Sequence, residues 1–190
     1  PFAELFNQGM VCMKSSITGR VEKMSKGKGN VVNPDDIINE FGADTLRMYI
    51  LFMGPPELDT EWQSDSIKGV KSFLNRLWTY LTTPAHIVGV QEVSLAAQKR
   101  FHRFLREYQE RLAQYKVNTA VAAAMEYLND VQSQQYTFSP EMLQQLLASM
   151  SVMVPYFASE LLERLLKNEI KSRMKTNIVQ SKKFSEMLIA

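Results

Sequence analysis

Apolar positions along the chain change rhythm near residue 64. Before it they come in short runs cut by glycine, proline and polar turns; after it they recur every three or four residues. Gly9 to Met13 and about Arg20 to Glu22 read as two short strands, joined by the polar turn Lys14 to Gly19. Asn33-Pro34-Asp35-Asp36 predicts a helix start: an N-cap amide, a proline at the first helical position, and two carboxylates at the positive end of the macrodipole. Gly42 stops that helix. A second is expected from Ala43 to Met53, with Leu46, Tyr49, Ile50 and Met53 on one face and Gly54-Pro55-Pro56 ending it.

Beyond Ser64 the pattern is helical. Ile67, Val70, Phe73, Leu74, Leu77, Trp78 and Leu81 form one apolar stripe, so Trp78 is expected in the core. Phe101, Phe104, Leu105, Tyr108, Leu112 and Tyr115 form a second. Val117, Val121, Ala124, Met125, Leu128 and Val131 form a third, whose alanines let a neighbouring helix approach closely. Ser139-Pro140 and Pro155 open two more helices, carrying Leu143, Leu146 and Leu147, then Leu161, Leu162 and Leu165. The fold class read from this is mainly α: a helical bundle preceded by a short β-hairpin and loop. From about Asn168 the chain is lysine-rich and weakly patterned, and no element is assigned to it.

Composition narrows the classes without choosing among them. The 190 residues are 45% hydrophobic with a formal net charge of +2, so RNA contact would need local basic patches rather than a global field. The single cysteine, Cys12, excludes an internal disulfide framework and any multi-cysteine zinc site, and reads as a small buried apolar side chain. No metal site is assigned. No apolar run reaches the roughly 18 residues of a membrane span, and a cytoplasmic location is expected. Pro1-Phe2-Ala3-Glu4 has neither an initiator methionine nor a signal layout, as in a chain cut from something longer.

The candidate chemistry lies at residues 23 to 30, where Lys23-Met24-Ser25-Lys26-Gly27-Lys28-Gly29-Asn30 packs three lysines and two glycines together. Glycines let backbone N–H groups approach an anion, and ammonium groups oppose phosphate oxygens, so the stretch suits a loop that wraps polyphosphate. An ordinary solvated loop has the same composition. It is not a Walker loop, since no glycine stands five residues before Gly27-Lys28 and Gly29 follows in place of Ser or Thr.

Lys23-Met24-Ser25-Lys26-Gly27 resembles the KMSKS signature of class I aminoacyl-tRNA synthetases. The likeness continues through Lys28-Gly29-Asn30-Val31-Val32-Asn33-Pro34-Asp35-Asp36-Ile37-Ile38, Phe41 to Arg47, Glu61-Trp62-Gln63, Phe73 to Trp78 and Asn118-Thr119-Ala120, in wording similar to the leucyl-tRNA synthetase family. It covers roughly residues 2 to 166. The resemblance implies three parts: residues 1–32 as the C-terminal edge of a Rossmann catalytic domain with its KMSKS-like loop, 33–66 as a connecting junction, and 67–190 as an anticodon-binding helical bundle. It implies ATP as substrate, Mg2+ in the full-length enzyme, and leucine and tRNA(Leu) as partners, the leucine being held by upstream parts. Lys26 is then the principal ATP-phosphate residue, Lys23 and Ser25 assist the loop, and Met24 packs it down. No residue of this chain is assigned proton transfer. Gly27 replaces the family's final serine and is expected to loosen the loop. The partner motif His-x-Gly-His is absent, the only histidines being His86 and His102, so the chain alone is expected to be inactive. His86 is read as an ordinary exposed histidine.

Lys99, Arg103 and Arg106 share one helix face with Arg100 close by, and with Arg76 they are the candidate tRNA contacts. Arg103 with Glu107, and Arg106 with Glu110, also stand at i,i+4, which favours a solvated, salt-bridged face over phosphate binding. Trp62 is assigned to packing at the junction rather than to base stacking. Two other readings stay open: a non-catalytic helical RNA- or protein-binding module, and an isoleucyl or valyl relative.

Overall fold

In the computed structural model, which describes residues 2–167, the hairpin forms where it was predicted, displaced by one or two residues. β1 (Val11–Lys14) pairs antiparallel with β2 (Val21–Lys23), placing Cys12 opposite Lys23 and Met13 opposite Glu22. A third strand has no counterpart in the sequence pattern: β3 (Thr60–Glu61) pairs parallel with β1, giving the order β2-β1-β3. Two residues carry no detectable period, and β3 is a strand only because tertiary packing lays it beside β1. Cys12, on the central strand, is half-buried rather than buried.

α1 (Pro34–Phe41) starts as its sequence dictates, with the Asn33 side chain accepting from the Asp35 amide at 3.2 Å. α2 (Ala43–Phe52) buries Thr45, Leu46, Met48 and Tyr49. Ile50, expected on the core face, is 48% exposed. The buried arc centres on Thr45 and Tyr49, so Leu46 marks its edge and Ile50, one turn on, lies beyond it. The Tyr49 hydroxyl donates to the Gln63 carbonyl at 2.9 Å and accepts from the Gln63 amide at 3.0 Å. Trp62 packs edge-on against Tyr49 at 4.9 Å and is buried, which is the packing role expected of it.

α3 (Ser66–Thr82), α4 (Leu95–Ala113), α5 (Val117–Ser133), α6 (Pro140–Met150) and a helix over 155–167, here α7, make the bundle. Apart from Tyr115, which lies beyond the end of α4 in the left-handed region (φ 58°) and is 48% exposed, the predicted stripes face its core, where Phe104 stacks on Tyr127 at 4.3 Å and the alanines Ala120, Ala123 and Ala124 let α5 sit close to its neighbours. Trp78 departs from expectation: it is only half-buried, edge-on to Phe157 at 5.6 Å with the Arg164 guanidinium 4.8 Å over its ring. Trp78 lies at the side of the arc that α3 buries, so its cover comes from the passing α7. His86 is not a free surface residue either; it stacks on Tyr80 at 3.7 Å with Nδ1 3.0 Å from the Tyr80 carbonyl.

Two side chains of α2 clasp the far end of the bundle. Asp44 Oδ2 accepts from the Phe157 amide at 2.6 Å, capping α7, and Arg47 donates to the carbonyls of Met153 at 3.4 Å and Val152 at 3.3 Å. α2 and the bundle therefore share one core, a single cluster running from Leu46 to Leu161. Among the described residues no helix is long and apolar enough to cross a membrane. The lysine-rich tail, 168–190, lies outside the described residues.

Candidate functional site

The Lys/Gly loop grows out of β2 and returns to the sheet through Asn30. Met24 donates its amide to the Val11 carbonyl at 3.3 Å and packs its side chain on the core margin. Lys26–Lys28 then make one turn of 3-10 helix, with Lys28 N–H to Ser25 C=O at 3.0 Å and Gly29 N–H to Lys26 C=O at 3.3 Å.

The base of this loop is held and its apex is free. Asn30 is 1% exposed; its Oδ1 accepts from the Ser25 amide at 2.8 Å, and its Nδ2 faces the carbonyls of Met13 (3.0 Å), Glu22 (3.2 Å) and Lys23 (3.3 Å). Ser15, also buried, donates from Oγ to the Lys28 carbonyl at 2.9 Å and accepts from the amides of Ile17 and Thr18. Lys23, Ser25, Lys26 and Gly27 are exposed above this floor. Gly29, at φ 60°, occupies the left-handed region, and a Cβ there would stand 2.8 Å from Ser16 Oγ.

Electrostatics divide the three lysines. Lys28 pairs with Glu22, and that hydrogen bond, followed by one from Thr18, holds the Glu22 carboxyl below its ordinary range. Lys28 is thus occupied at the loop's flank, which leaves Lys23 and Lys26 as the loop's exposed lysines outside an ion pair among the described residues. Among the described residues no carboxylate pairs with Lys23 or Lys26. A Cβ added at Gly27 would meet nothing within 4 Å, and its φ is ordinary, so a serine would fit there without strain. The glycine this loop requires is Gly29.

On α4, Lys99, Arg103 and Arg106 are exposed on one face. The i,i+4 pairs that would neutralise them are not made among the described residues: neither Arg103–Glu107 nor Arg106–Glu110 is an ion pair. Arg100 turns away, pairing with Asp130 at 2.7 Å and lying 5.2 Å over the Tyr127 ring. Arg76 is engaged as well, donating to Asn129 Oδ1 at 2.6 Å and to Gln132 Oε1 at 3.1 Å, which knits α3 to α5.

The family model for class I tRNA synthetases (I, L, M and V) matches residues 1–63, the span that contains the loop. Leucine-tRNA ligase of Pseudothermotoga lettingae is 38% identical over 180 residues, covering 87% of this chain and 21% of the ligase; that of Leptospira biflexa is 35% identical, covering 87% and 19%. The chain belongs to the class I tRNA synthetases, on their leucyl branch. It spans about a fifth of the length of the curated relatives it matches. Among solved structures, the agnB2 LeuRS of Agrobacterium radiobacter K84, determined as a ternary complex with tRNA and LeuAMS, superposes with a TM-score of 0.65 at 25% identity, covering 85% of this chain and 22% of that one. The methionyl-tRNA synthetase of Mycobacterium tuberculosis shares the fold at TM-score 0.55 and 16% identity, over 74% of this chain and 35% of that one. A second family model, the C-terminal part of type I restriction enzyme HindI endonuclease subunit-like proteins, matches residues 126–190 and so overlaps the end of the synthetase likeness.

Within this synthetase chain, the sequence pattern marks the loop's apex and misses its floor. Ser15 looks like an ordinary turn residue in sequence, and Asn30 belongs to the family wording, in the glycine-asparagine pair that closes the lysine-rich turn, without a role attached. Asp44 and Arg47 belong to the family wording without a role attached, and the structure shows that they dock α2 onto α7. Among the described residues no group of three His, Cys, Asp or Glu could hold a metal ion.

Proposed function

We propose that this chain supplies the ATP-phosphate loop and a tRNA-facing helical bundle of a leucine-tRNA ligase, which activates leucine with ATP and transfers it to tRNA(Leu). The observation that carries this is the exposed Lys26, unpaired among the described residues, at the apex of a rigidly floored loop, in a chain 38% identical to such a ligase over 87% of its length. In activation, a carboxylate oxygen of the amino acid attacks the α-phosphorus and the bond to pyrophosphate breaks. Negative charge grows on the leaving group. Lys26 stabilises that charge electrostatically and moves no proton; Lys23 assists it, the Ser25 hydroxyl is free to donate to a phosphate oxygen, and Met24 anchors the turn. Any Mg2+ belongs with the nucleotide phosphates, and no step is assigned to it.

In the same reading, residues 1–32 are a catalytic-domain edge, 33–66 the junction and 67–190 the tRNA-facing bundle, working in the cytoplasm. Lys99, Arg103 and Arg106, which make no ion pair among the described residues, offer a basic face for the phosphate backbone. Arg76 contributes mainly by holding α3 to α5. The test is a graft: this chain replaces the matching segment of the Pseudothermotoga lettingae ligase, and leucine-dependent ATP–pyrophosphate exchange is measured. Activity well above a ligase lacking the segment is expected, while the isolated chain shows none. A folded graft no better than the deletion would count against the proposal.

The restriction-enzyme-subunit model runs past the synthetase likeness to residue 190, which favours a second reading for residues 168–190 alone, as a segment of separate ancestry. If that reading holds, a graft ending at residue 167 retains full exchange and charging.

A further inference from the structure

We infer that Asn30 is a positioning residue for the ATP loop: its buried amide joins the loop's entry to the sheet and so fixes where Lys26 stands. This rests on the reading of Lys26 given under Proposed function.

The chemistry follows from what an asparagine amide can do in one place. Its oxygen accepts the Ser25 N–H at the start of the 3-10 turn, while its nitrogen serves the carbonyls of Met13 on β1 and of Glu22 and Lys23 on β2. One side chain at the loop's exit thereby ties its entry to both strands of the hairpin. A donor and an acceptor are both needed, at short reach and without charge, at a position 1% exposed. Leucine would leave the Ser25 amide without its side-chain acceptor and remove the donor that faces the three carbonyls, and aspartate would set a second oxygen against those carbonyls. The apex then moves as a unit on a fixed base rather than as a free coil. That matters because a phosphate-binding cation works only where it is held, and a displacement of about 1 Å can cost on the order of a hundredfold in rate. Ser15 holds the opposite flank through the Lys28 carbonyl, leaving Asn30 as the contact that reaches the Ser25–Lys26 corner.

The test has two arms. In the full 190-residue chain, Asn30→Ala is expected to abolish slow hydrogen exchange at the Ser25 amide while the bundle amides stay protected; unchanged protection at Ser25 overturns the inference. In the grafted ligase, Asn30→Ala is expected to slow ATP–pyrophosphate exchange about tenfold or more, with the Michaelis constant for leucine unmoved. Combined with Lys26→Ala it should slow the reaction no further than Lys26→Ala does alone, since each removes the same effect. Multiplying effects, or an unaltered rate, overturn the positioning role. If Lys26→Ala by itself leaves the rate untouched, it is the ATP-loop reading that fails instead. Should Asn30→Ala not fold, Asn30→Asp keeps the Ser25 contact and shape. Burial against three carbonyls favours the protonated acid, which restores a donor, so this variant is expected to recover exchange activity as pH falls, a limb that the parent graft lacks. A flat profile for Asn30→Asp overturns the inference.

Discussion

Gly27 and Gly29 stand two residues apart and carry opposite demands. Gly29 sits at φ 60° with Ser16 Oγ where a Cβ would go, whereas Gly27 has open space around it and an ordinary backbone. Gly29→Ala is therefore expected to destabilise the hairpin and loop by about 1 to 2 kcal/mol, read as earlier loss of loop protection in hydrogen exchange. Gly27→Ser should leave stability unchanged and should lower the Michaelis constant for ATP in the grafted ligase or leave it alone; a large rise would refute the idea that glycine loosens this turn. For Lys26, which no carboxylate screens among the described residues, substitution by alanine is expected to slow adenylate formation roughly tenfold or more, measured by pyrophosphate exchange. The residues that bear charge were legible in sequence because charge density along a chain is local. Asn30 and Ser15 were not, because their partners on β1 and β2 come near only when the hairpin folds.

Elements behave differently from residues: their existence is local, their docking is not. The caps at Asn33, Ser94 and Ser139 start α1, α4 and α6 through side chains that accept from amides two or three residues on. The helix over 155–167 is capped from a distance, by Asp44 of α2, and no pattern around Pro155 announces that. Asp44→Ala is expected to cost about 1 kcal/mol, seen as a lower urea midpoint with faster exchange at the Phe157 amide; equal midpoints would show that the cap contributes nothing. The face of α4 belongs to this scale too. Replacing Lys99, Arg103 and Arg106 by alanine should weaken tRNA binding by the grafted ligase and reduce the salt dependence of log K by roughly two, measured by filter binding across a salt series. An unchanged slope would remove this face from the interface.

Across the whole molecule, pH acts on two kinds of group. Pairing with Lys28, then with Thr18, lowers the Glu22 carboxyl, so the stability this contact contributes is present above the ordinary carboxylate range and is lost as pH falls through the lowered value. The loop flank should loosen at acid pH, followed by the carboxyl chemical shift of Glu22. Tyr108 and Tyr127 are raised by burial, so the stability tied to their neutral forms is intact below the unfolded value near 10 and is lost as pH rises beyond it. The phenolate absorbance of these two, read as the difference from the Tyr108→Phe and Tyr127→Phe chains, should accordingly appear late and together with helix loss in an alkaline titration. The sequence by itself determined the mainly α class, the hairpin, the helix stripes and the lysine-rich loop, because periodicity, capping and charge are properties of neighbours along the chain. Only the tertiary structure decided that Lys28 is occupied while Lys26, among the described residues, is not, that Arg76 and Arg100 serve the bundle, that β3 completes a sheet, and that a buried asparagine floors the loop. Each of those depends on groups far apart in sequence, whose meeting is set by the burial of the shared core rather than by any local preference.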